Sequence, residues 1–257
     1  MYFRYKDLTF ELTSPEYETK NFGGKMGELR VITLPYTPSQ TLGYICTELD
    51  DLPNRLVRDG YLACTFRGKE DTQLVRYLDT LGFKFVGTYR MFSCYNKDFM
   101  SYSIPPNNLE VVFAHEDDYS RILEIESQVF DYSTFQIDDR FPADVTAKRN
   151  VQRVKSYFNN PNHVCYVVKS KGFVIGFNQF IVDYEARCAE NVNSAVDPNS
   201  QNRYVGTKLY LESFRNVLSV YDMVTGGVCT QNPRPTRILN TMGFKFIDQE
   251  IHLRLKL

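Results

Sequence analysis

The apolar residues of this chain fall into strand-length runs that alternate with stretches of helical spacing. Leu29-Arg-Val-Ile-Thr-Leu34 is a short apolar run closed by Pro35, and it reads as a strand because proline cannot continue a ladder. Residues 39–59 read as a helix that Pro53 threatens to break. Tyr61–Phe66 is a strand entered from Gly60. Leu74, Leu78 and Leu81 then recur at helical spacing and predict a helix from Lys69 to Leu81, stopped by Gly82. Phe83–Cys94 is a further strand. Ser101–Asn108, with Pro105-Pro106, is the natural linker.

Beyond that linker the alternation resumes with a strand, Leu109–Phe113. Asp117 or Asp118 can cap a helix that runs to Phe130 through Ile122, Ile125 and Val129. The acidic run Glu116–Asp118 suits a helix N-terminus and needs no catalytic role. Asp131–Phe141 is a polar-aromatic loop and Val145–Asn159 a helix. Val164–Lys169 and Gly172–Asp183 form a hairpin about Ser170-Lys171-Gly172. The run Val192–Val196 is a strand stopped by Asp197-Pro198. Gly206–Phe214 opens a helix with Leu209, Leu211 and Phe214 as its apolar positions. Met223–Thr230 is a strand that leads through Gln231-Asn-Pro-Arg-Pro235 into a short helix, and Phe244–Leu257 is the last strand.

Two segments repeat. Leu78-Asp-Thr-Leu-Gly-Phe-Lys-Phe-Val86 returns as Leu239-Asn-Thr-Met-Gly-Phe-Lys-Phe-Ile247, and Ala63-Cys-Thr65 is echoed by Val228-Cys-Thr230, each echo expected to end a strand. The pattern fits two copies of one strand–helix–strand unit; it also fits two uses of a common packing solution.

The turn between Val196 and Gly206 offers chemistry. A strand, a polar turn and a helix whose first amides point into the turn make a place for a phosphate: the free N–H groups and the positive end of the helix dipole favour an anion. A glycine at 206 lets a ligand approach the backbone closely. Gln201-Asn-Arg-Tyr-Val-Gly206 after Ala195-Val-Asp-Pro198 resembles the acyl-CoA pyrophosphate loop of the GNAT acetyltransferases (Gln/Arg-x-x-Gly-x-Gly/Ala), with Tyr204 in place of the first glycine. The order of elements from 109 to 257, with Gln231-Asn-Pro and Asn240-Thr-Met-Gly-Phe244, is similar to that superfamily. The resemblance implies an α/β (α+β) fold: a mixed, largely antiparallel sheet flanked by helices. A truncated GNAT-like half over 1–100, a linker over 101–108 and an acetyltransferase domain over 109–257 are expected. The first half has no counterpart of the Gln201–Gly206 loop, so its expected work is to extend the sheet and wall the acceptor pocket. Glu18-Thr-Lys-Asn-Phe-Gly23, Leu81–Val86 and Val129–Phe135 also resemble the TDP-fucosamine acetyltransferases, which N-acetylate a nucleotide-linked amino sugar.

From that resemblance follow the expected roles. Acetyl-CoA is the co-substrate, and no metal is needed. Ser194, Ala195 and Val196 line the thioester, with a backbone N–H of that strand polarising its carbonyl. The loop amides of Arg203, Tyr204, Val205, Gly206 and Thr207 hold the pyrophosphate, Gln201 and Asn202 belong to the same cofactor-binding loop, and Asn232 meets the pantetheine arm. Glu190 and Asn193 are the candidates for taking the amine's proton or orienting the amine; each is equally readable as structural. Tyr132, Phe135 and Arg140, with Asp138 and Asp139 beside them, are candidates for an acceptor's base, sugar or phosphate, or are the anchors of a solvated loop. The family's usual tyrosine proton donor is absent, because Leu239 stands at its position.

Composition sets the outer limits. Lys+Arg 30 against Asp+Glu 31 leaves a net charge of −1, so no bulk field recruits nucleic acid or an anionic membrane. The 18 Tyr and 19 Phe argue for an ordered core. The six cysteines include no Cys-x-x-Cys pair, and His115, His163 and His252 are scattered, which speaks against a disulfide scaffold or zinc site. A reduced, cytoplasmic enzyme with a small-molecule acceptor is expected, with a homodimer allowed. A peptide or small-amine acetyltransferase, a CoA-binding module without catalysis and an aminoacyl-tRNA transferase are the alternatives.

Overall fold

The computed structural model describes residues 1–5, 8–32, 46–105, 107–129, 134–135, 137–201 and 204–257. The first half contains β1 (Tyr2–Tyr5), β2 (Leu8–Thr13), α1 (Glu16–Phe22), β3 (Lys25–Ile32), β4 (Cys46–Glu48), α2 (Leu52–Arg58), β5 (Tyr61–Lys69), α3 (Thr72–Thr80) and β6 (Lys84–Tyr95). The second contains β7 (Leu109–Phe113), α4 (Tyr119–Val129), α5 (Ala143–Phe158), β8 (His163–Ser170), β9 (Phe173–Asp183), β10 (Cys188–Val196), α6 (Val205–Leu218), β11 (Met223–Cys229), α7 (Pro233–Thr241) and β12 (Lys245–Lys256). All the strands form one sheet in the order β4-β1-β2-β3-β5-β12-β6-β11-β10-β9-β8-β7. Among the described residues no helix is long and apolar enough to cross a membrane.

Local chemistry explains the main boundaries. α3 starts where Asp71 accepts hydrogen bonds from the Gln73 and Leu74 amides. Its Leu74 and Leu78 are buried while its other face is polar. The helix expected over 39–59 is found only as α2. Residues 33–45 lie outside the described ones, and residues 46–48 form a strand paired in parallel with β1. Pro53 does not break α2 but sits in its first turn, where a missing N–H costs nothing. The echo at Ala63–Thr65 also differs from expectation: Thr65 lies in the middle of β5, which continues to Lys69, whereas β11 ends at Cys229.

The repeat is visible in the sheet as an exchange of strands. β12 does not lie beside β11 but between β5 and β6, and β6 in turn pairs with β11. Each half's last strand is therefore placed against the other half. In the central ladder Lys84 faces Arg254 and Ser93 faces Lys245. A shift by the 161 residues that separate Leu78 from Leu239 turns either pair into the other, so a pseudo-two-fold passes between β6 and β12. The turns that deliver these strands use Gly82 and Gly243, both left-handed, with φ of 93° and 85°. A Cβ on Gly243 would lie 2.2 Å from the Asp98 carbonyl oxygen, so that site excludes any side chain.

The apolar residues form cores on both faces of the sheet. α6 and α7 cover one face of the second half, with Leu209, Phe214, Leu218 and Leu239 packed on Phe180, Val182 and Val224. α4 covers the opposite face through Ile122 and Ile125 against Val167, Phe177 and Ala195. The halves are further joined by α1 and α5, where Glu18 and Arg149, both almost fully buried, form an ion pair. Phe22 of α1 packs on Phe135 and Phe141. The Glu18–Gly23 segment therefore has a structural task, closing α1 with the left-handed Gly23 and gluing the halves together.

Candidate active site

β10 and β11 run parallel and pair from Cys188/Met223 to Asn191/Gly226, and then part. The parting coincides with a bulge in β10, whose register to β9 shifts between Asn191 and Asn193 and leaves Val192 over. Asn191 secures the bulge by donating from Nδ2 to Asn178 Oδ1 at 2.5 Å and to the Gln179 carbonyl at 3.0 Å. Past this point the β11-facing edge of β10 has no strand partner among the described residues, so its backbone groups are open to a ligand arm.

Where β10 ends, Arg121 of α4 forms an ion pair with Asp197, whose other carboxylate oxygen accepts from the Asn199 amide at 2.8 Å. Gln201 Nε2 donates back to the Val196 carbonyl at 3.4 Å. Tyr204 takes a left-handed conformation, φ 60°, and its carbonyl accepts the first bond of α6 from the Lys208 amide. The amides of Val205, Gly206 and Thr207 have no intrahelical acceptor, and among the described residues no side chain caps them. Gly206 is not left-handed, and a Cβ there would meet only Val196 Cγ2 at 3.7 Å. Nothing in the chain itself demands glycine at 206.

Two cavities meet along this seam. A groove of about 650 Å³ is lined by Ser194, Ala195, Val196, Gln201 and Tyr204–Thr207 on one side and by Asn232, Arg234 and Arg237 of the α7 segment on the other. A smaller space of about 130 Å³ lies in the fork of β10 and β11, bounded by Tyr89, Arg153, Asn193, Ser194 and Leu239. Asn232, Pro235, Ser194 and Tyr210 line both. The expected cofactor residues that are described thus converge on one groove; Asn202 and Arg203 lie outside the described residues. Arg234 and Arg237 were not anticipated. Their spacing of three on α7 puts both on one helical face, and Arg234 Nη1 donates to Gln201 Oε1 at 3.1 Å, so cationic side chains stand opposite the α6 amides.

The other expected residues separate. Asn193 lines the fork, 7% exposed, donating to Glu126 Oε2 at 3.0 Å and accepting from Arg153 Nη2 at 3.4 Å. Glu190 lies before the bulge, paired with Thr225 and Ile181, and does not line either cavity. Desolvation first, and Glu250 second, raise its carboxyl, while Arg30 lowers it. Phe135 is 1% exposed, with Arg254 3.7 Å and Arg149 4.6 Å from its ring centroid. Arg140 is committed to Asp138 and to the Arg254 carbonyl. Both residues tie the loop to the sheet. Tyr132 lies outside the described residues. Leu239 is buried at the wall of the fork and carries no proton to give.

Glu126 is the residue that the pattern concealed. It is four residues after Ile122 and so falls on the buried face of α4; a charge at such a position is the signal that would have found it. It is 1% exposed, its Oε1 accepts no hydrogen bond, and Arg153 stands 3.6 Å away. Burial pushes the carboxyl up to about 7, against the pull of Arg153 and Asn193. Gln179, opposite Asn193 in β9, is fully buried, and neither side-chain polar atom has a hydrogen-bond partner among the described residues. His252 is 5% exposed and stacks on Tyr89 at 4.8 Å; its Nε2 lies 3.8 Å from Glu250 Oε2, and neither ring nitrogen has a partner within hydrogen-bond distance among the described residues. Burial foremost lowers its pKa, which keeps it neutral. Behind the fork's lining residues Asn193 and Tyr89 thus lie polar groups that the described residues leave incompletely paired.

The Glu126 carboxyl binds its proton more tightly in the folded chain than in the unfolded one. Its contribution to stability is present below the ordinary carboxylate range and is lost as pH rises through about 7, on the order of 3 kcal/mol in all. Glu126→Gln is expected to flatten the fall in melting temperature between about pH 5 and about pH 8. Thermal unfolding at the two pH values checks this, and equal slopes for the two proteins would refute the assignment.

No protein-family model matches the chain, and no curated protein does. Solved structures do. The chain superposes on a GCN5-related N-acetyltransferase from Sphaerobacter thermophilus with a TM-score of 0.62 at 14% identity, covering 97% of this chain and 76% of that one. It superposes on a tandem GNAT protein from the clavulanic acid biosynthesis pathway with a TM-score of 0.58 at 11% identity, covering 91% and 78%. For a GCN5-related N-acetyltransferase from Kribbella flavida the values are 0.58, 11%, 90% and 85%. The fold is that of the GCN5-related N-acetyltransferases, in a tandem arrangement.

Proposed function

We propose that the protein is an acetyl-CoA-dependent N-acetyltransferase. One observation carries this reading: the uncapped N-terminus of α6 opens into a groove that leads to the fork of β10 and β11. The pyrophosphate takes the amides of Val205, Gly206 and Thr207, aided by Arg234 and Arg237. The pantetheine arm runs along the unpaired edge of β10 toward Asn232, whose side chain caps nothing. A β10 amide polarises the thioester carbonyl as negative charge develops on it. The amine enters the fork, where Asn193 orients it and Glu126, poised near neutrality, takes its proton. It then attacks the carbonyl directly.

The acceptor class we propose is a nucleotide-linked amino sugar. That part rests on the sequence resemblance, since Phe135 and Arg140 are occupied within the protein. A CoA-binding module without catalysis is the second reading, favoured by Leu239 where the family's proton donor stands. Incubation with acetyl-CoA and a panel of TDP- and UDP-amino sugars, peptides and polyamines, with free thiol measured, separates them. Turnover confined to peptides or polyamines would reject the sugar, and CoA binding without turnover on any acceptor would favour the module.

A further inference from the structure

An acetyltransferase with leucine at position 239 still has to protonate the departing thiolate. The thioester sulfur must lie where the large groove meets the fork, since the pantetheine arm fills the first and the amine the second. Four residues line both spaces there, and only Ser194 and Tyr210 among them carry a hydroxyl. Those two hydroxyls are 2.5 Å apart and share one hydrogen bond. Tyr210 comes from the second turn of α6, on whose buried face it packs against Phe214 at 5.2 Å, so its ring is held by the core. Ser194 comes from β10 just beyond the bulge, beside Asn193.

We infer that the Tyr210 hydroxyl, coupled to Ser194, is the proton donor to the leaving thiolate and takes over the task that Leu239 cannot perform. This rests on the acetyltransferase reading above. When the tetrahedral intermediate collapses, the C–S bond breaks and its electron pair goes to sulfur. The Tyr210 O–H gives its proton to that sulfur. The phenolate regains a proton through the Ser194 hydroxyl from the nitrogen that has just formed the amide bond. From the neutral amine onward the net change is one N–H lost and one S–H gained, and the ammonium proton taken earlier by Glu126 leaves to solvent, with no further reactant. Of the two hydroxyls the phenol is the more acidic, closest to a thiol. Burial raises its pKa, which keeps it in the protonated, donating form, while Ser194 lowers it.

Tyr210→Phe keeps the ring that α6 buries and removes only the hydroxyl. It is expected to lower kcat with acetyl-CoA about 100-fold, with the Kd for CoA unchanged by titration calorimetry. Ser194→Ala should show a smaller loss of the same kind. An acetyl thioester with a thiophenol leaving group, whose thiolate needs no proton to depart, should restore Tyr210→Phe to within about threefold of the wild type, since the general-acid contribution is then removed. Wild-type kcat in Tyr210→Phe would overturn the inference, as would an equal loss on both thioesters, which marks a structural role. A wild-type chain that binds CoA yet releases no thiol with any acceptor would overturn the acetyltransferase reading and the inference with it. A normal wild type beside an unaffected Tyr210→Phe overturns the inference alone.

Discussion

Gly206→Asp is expected to weaken CoA binding at least about 100-fold while leaving the melting temperature unchanged or slightly raised. The two halves of that expectation come from different parts of the structure. A Cβ at 206 meets only Val196 at 3.7 Å, the backbone is not left-handed, and a carboxylate in the first turn of α6 complements the helix dipole. The folded chain therefore accepts aspartate. Under the proposed CoA placement the ligand does not, because the carboxylate would occupy the amides assigned to the pyrophosphate and repel its charge across a few ångströms. Gly206→Ala supplies the comparison: it adds bulk without charge, so its Kd measures the closeness of approach alone. Calorimetric titration of all three proteins with CoA checks the claim, and an unchanged Kd in Gly206→Asp would show that the anion binds elsewhere.

The largest expected loss of stability is at Arg254. Its guanidinium is fully buried at the centre of the joint between the halves. Nε donates to Thr65 Oγ1 at 3.0 Å, and Nη1 donates to the Thr134 carbonyl at 2.9 Å and to Asp138 Oδ2 at 2.8 Å. Its planar face lies 3.7 Å from the Phe135 ring centroid. Burial lowers the Arg254 pKa to about 10, and Asp138 opposes that shift. Burial alone would raise Asp138, but hydrogen bonds from Arg140 and Arg254 overcome it and hold the carboxyl below the usual range. Arg254→Ala leaves Asp138 with Arg140 only and opens a void under Phe135. A cost of about 3–5 kcal/mol is expected, as for other buried pairs broken from one side. That corresponds to a fall of roughly 6–20 °C in melting temperature. Arg254→Met, which refills the volume, combined with Asp138→Asn, which removes the stranded charge, should recover much of the loss. Denaturant unfolding of the single and double variants tests this. A loss below about 1 kcal/mol in Arg254→Ala would mean that the joint does not depend on the cluster.

Much of this fold is written in local signals. Leu74 and Leu78 with Asp71 before them define α3, Ser170-Lys171-Gly172 makes the hairpin of β8 and β9, and Asp197-Pro198 ends β10. The turn that opens α6 is legible for the same reason, since its residues are contiguous. The exchange of β6 and β12 is not, because a strand's sequence states which face is buried but not which strand lies beside it. β12 would satisfy its apolar alternation equally well against β11. The loop 131–141 misleads in a different way. Phe135 and Arg140 have the composition of a ligand-binding loop, yet Arg254, more than a hundred residues away, draws both into the sheet. β1, β2 and α1 carry little periodicity in so few residues. Glu126 was legible in principle, as the one carboxylate on the apolar stripe of α4.

The acyl-transfer account is tested most directly by following acetyl-CoA and an amine together. Thiol release and N-acetylated product are to be measured in the same reaction, the product by mass spectrometry, from the first turnover onward. Direct transfer in the fork predicts equal amounts of thiol and acetylated amine, with no early burst of thiol and no acetyl group left on the protein. Thiol released ahead of the amide, or CoA bound with no thiol released for any amine, would contradict it.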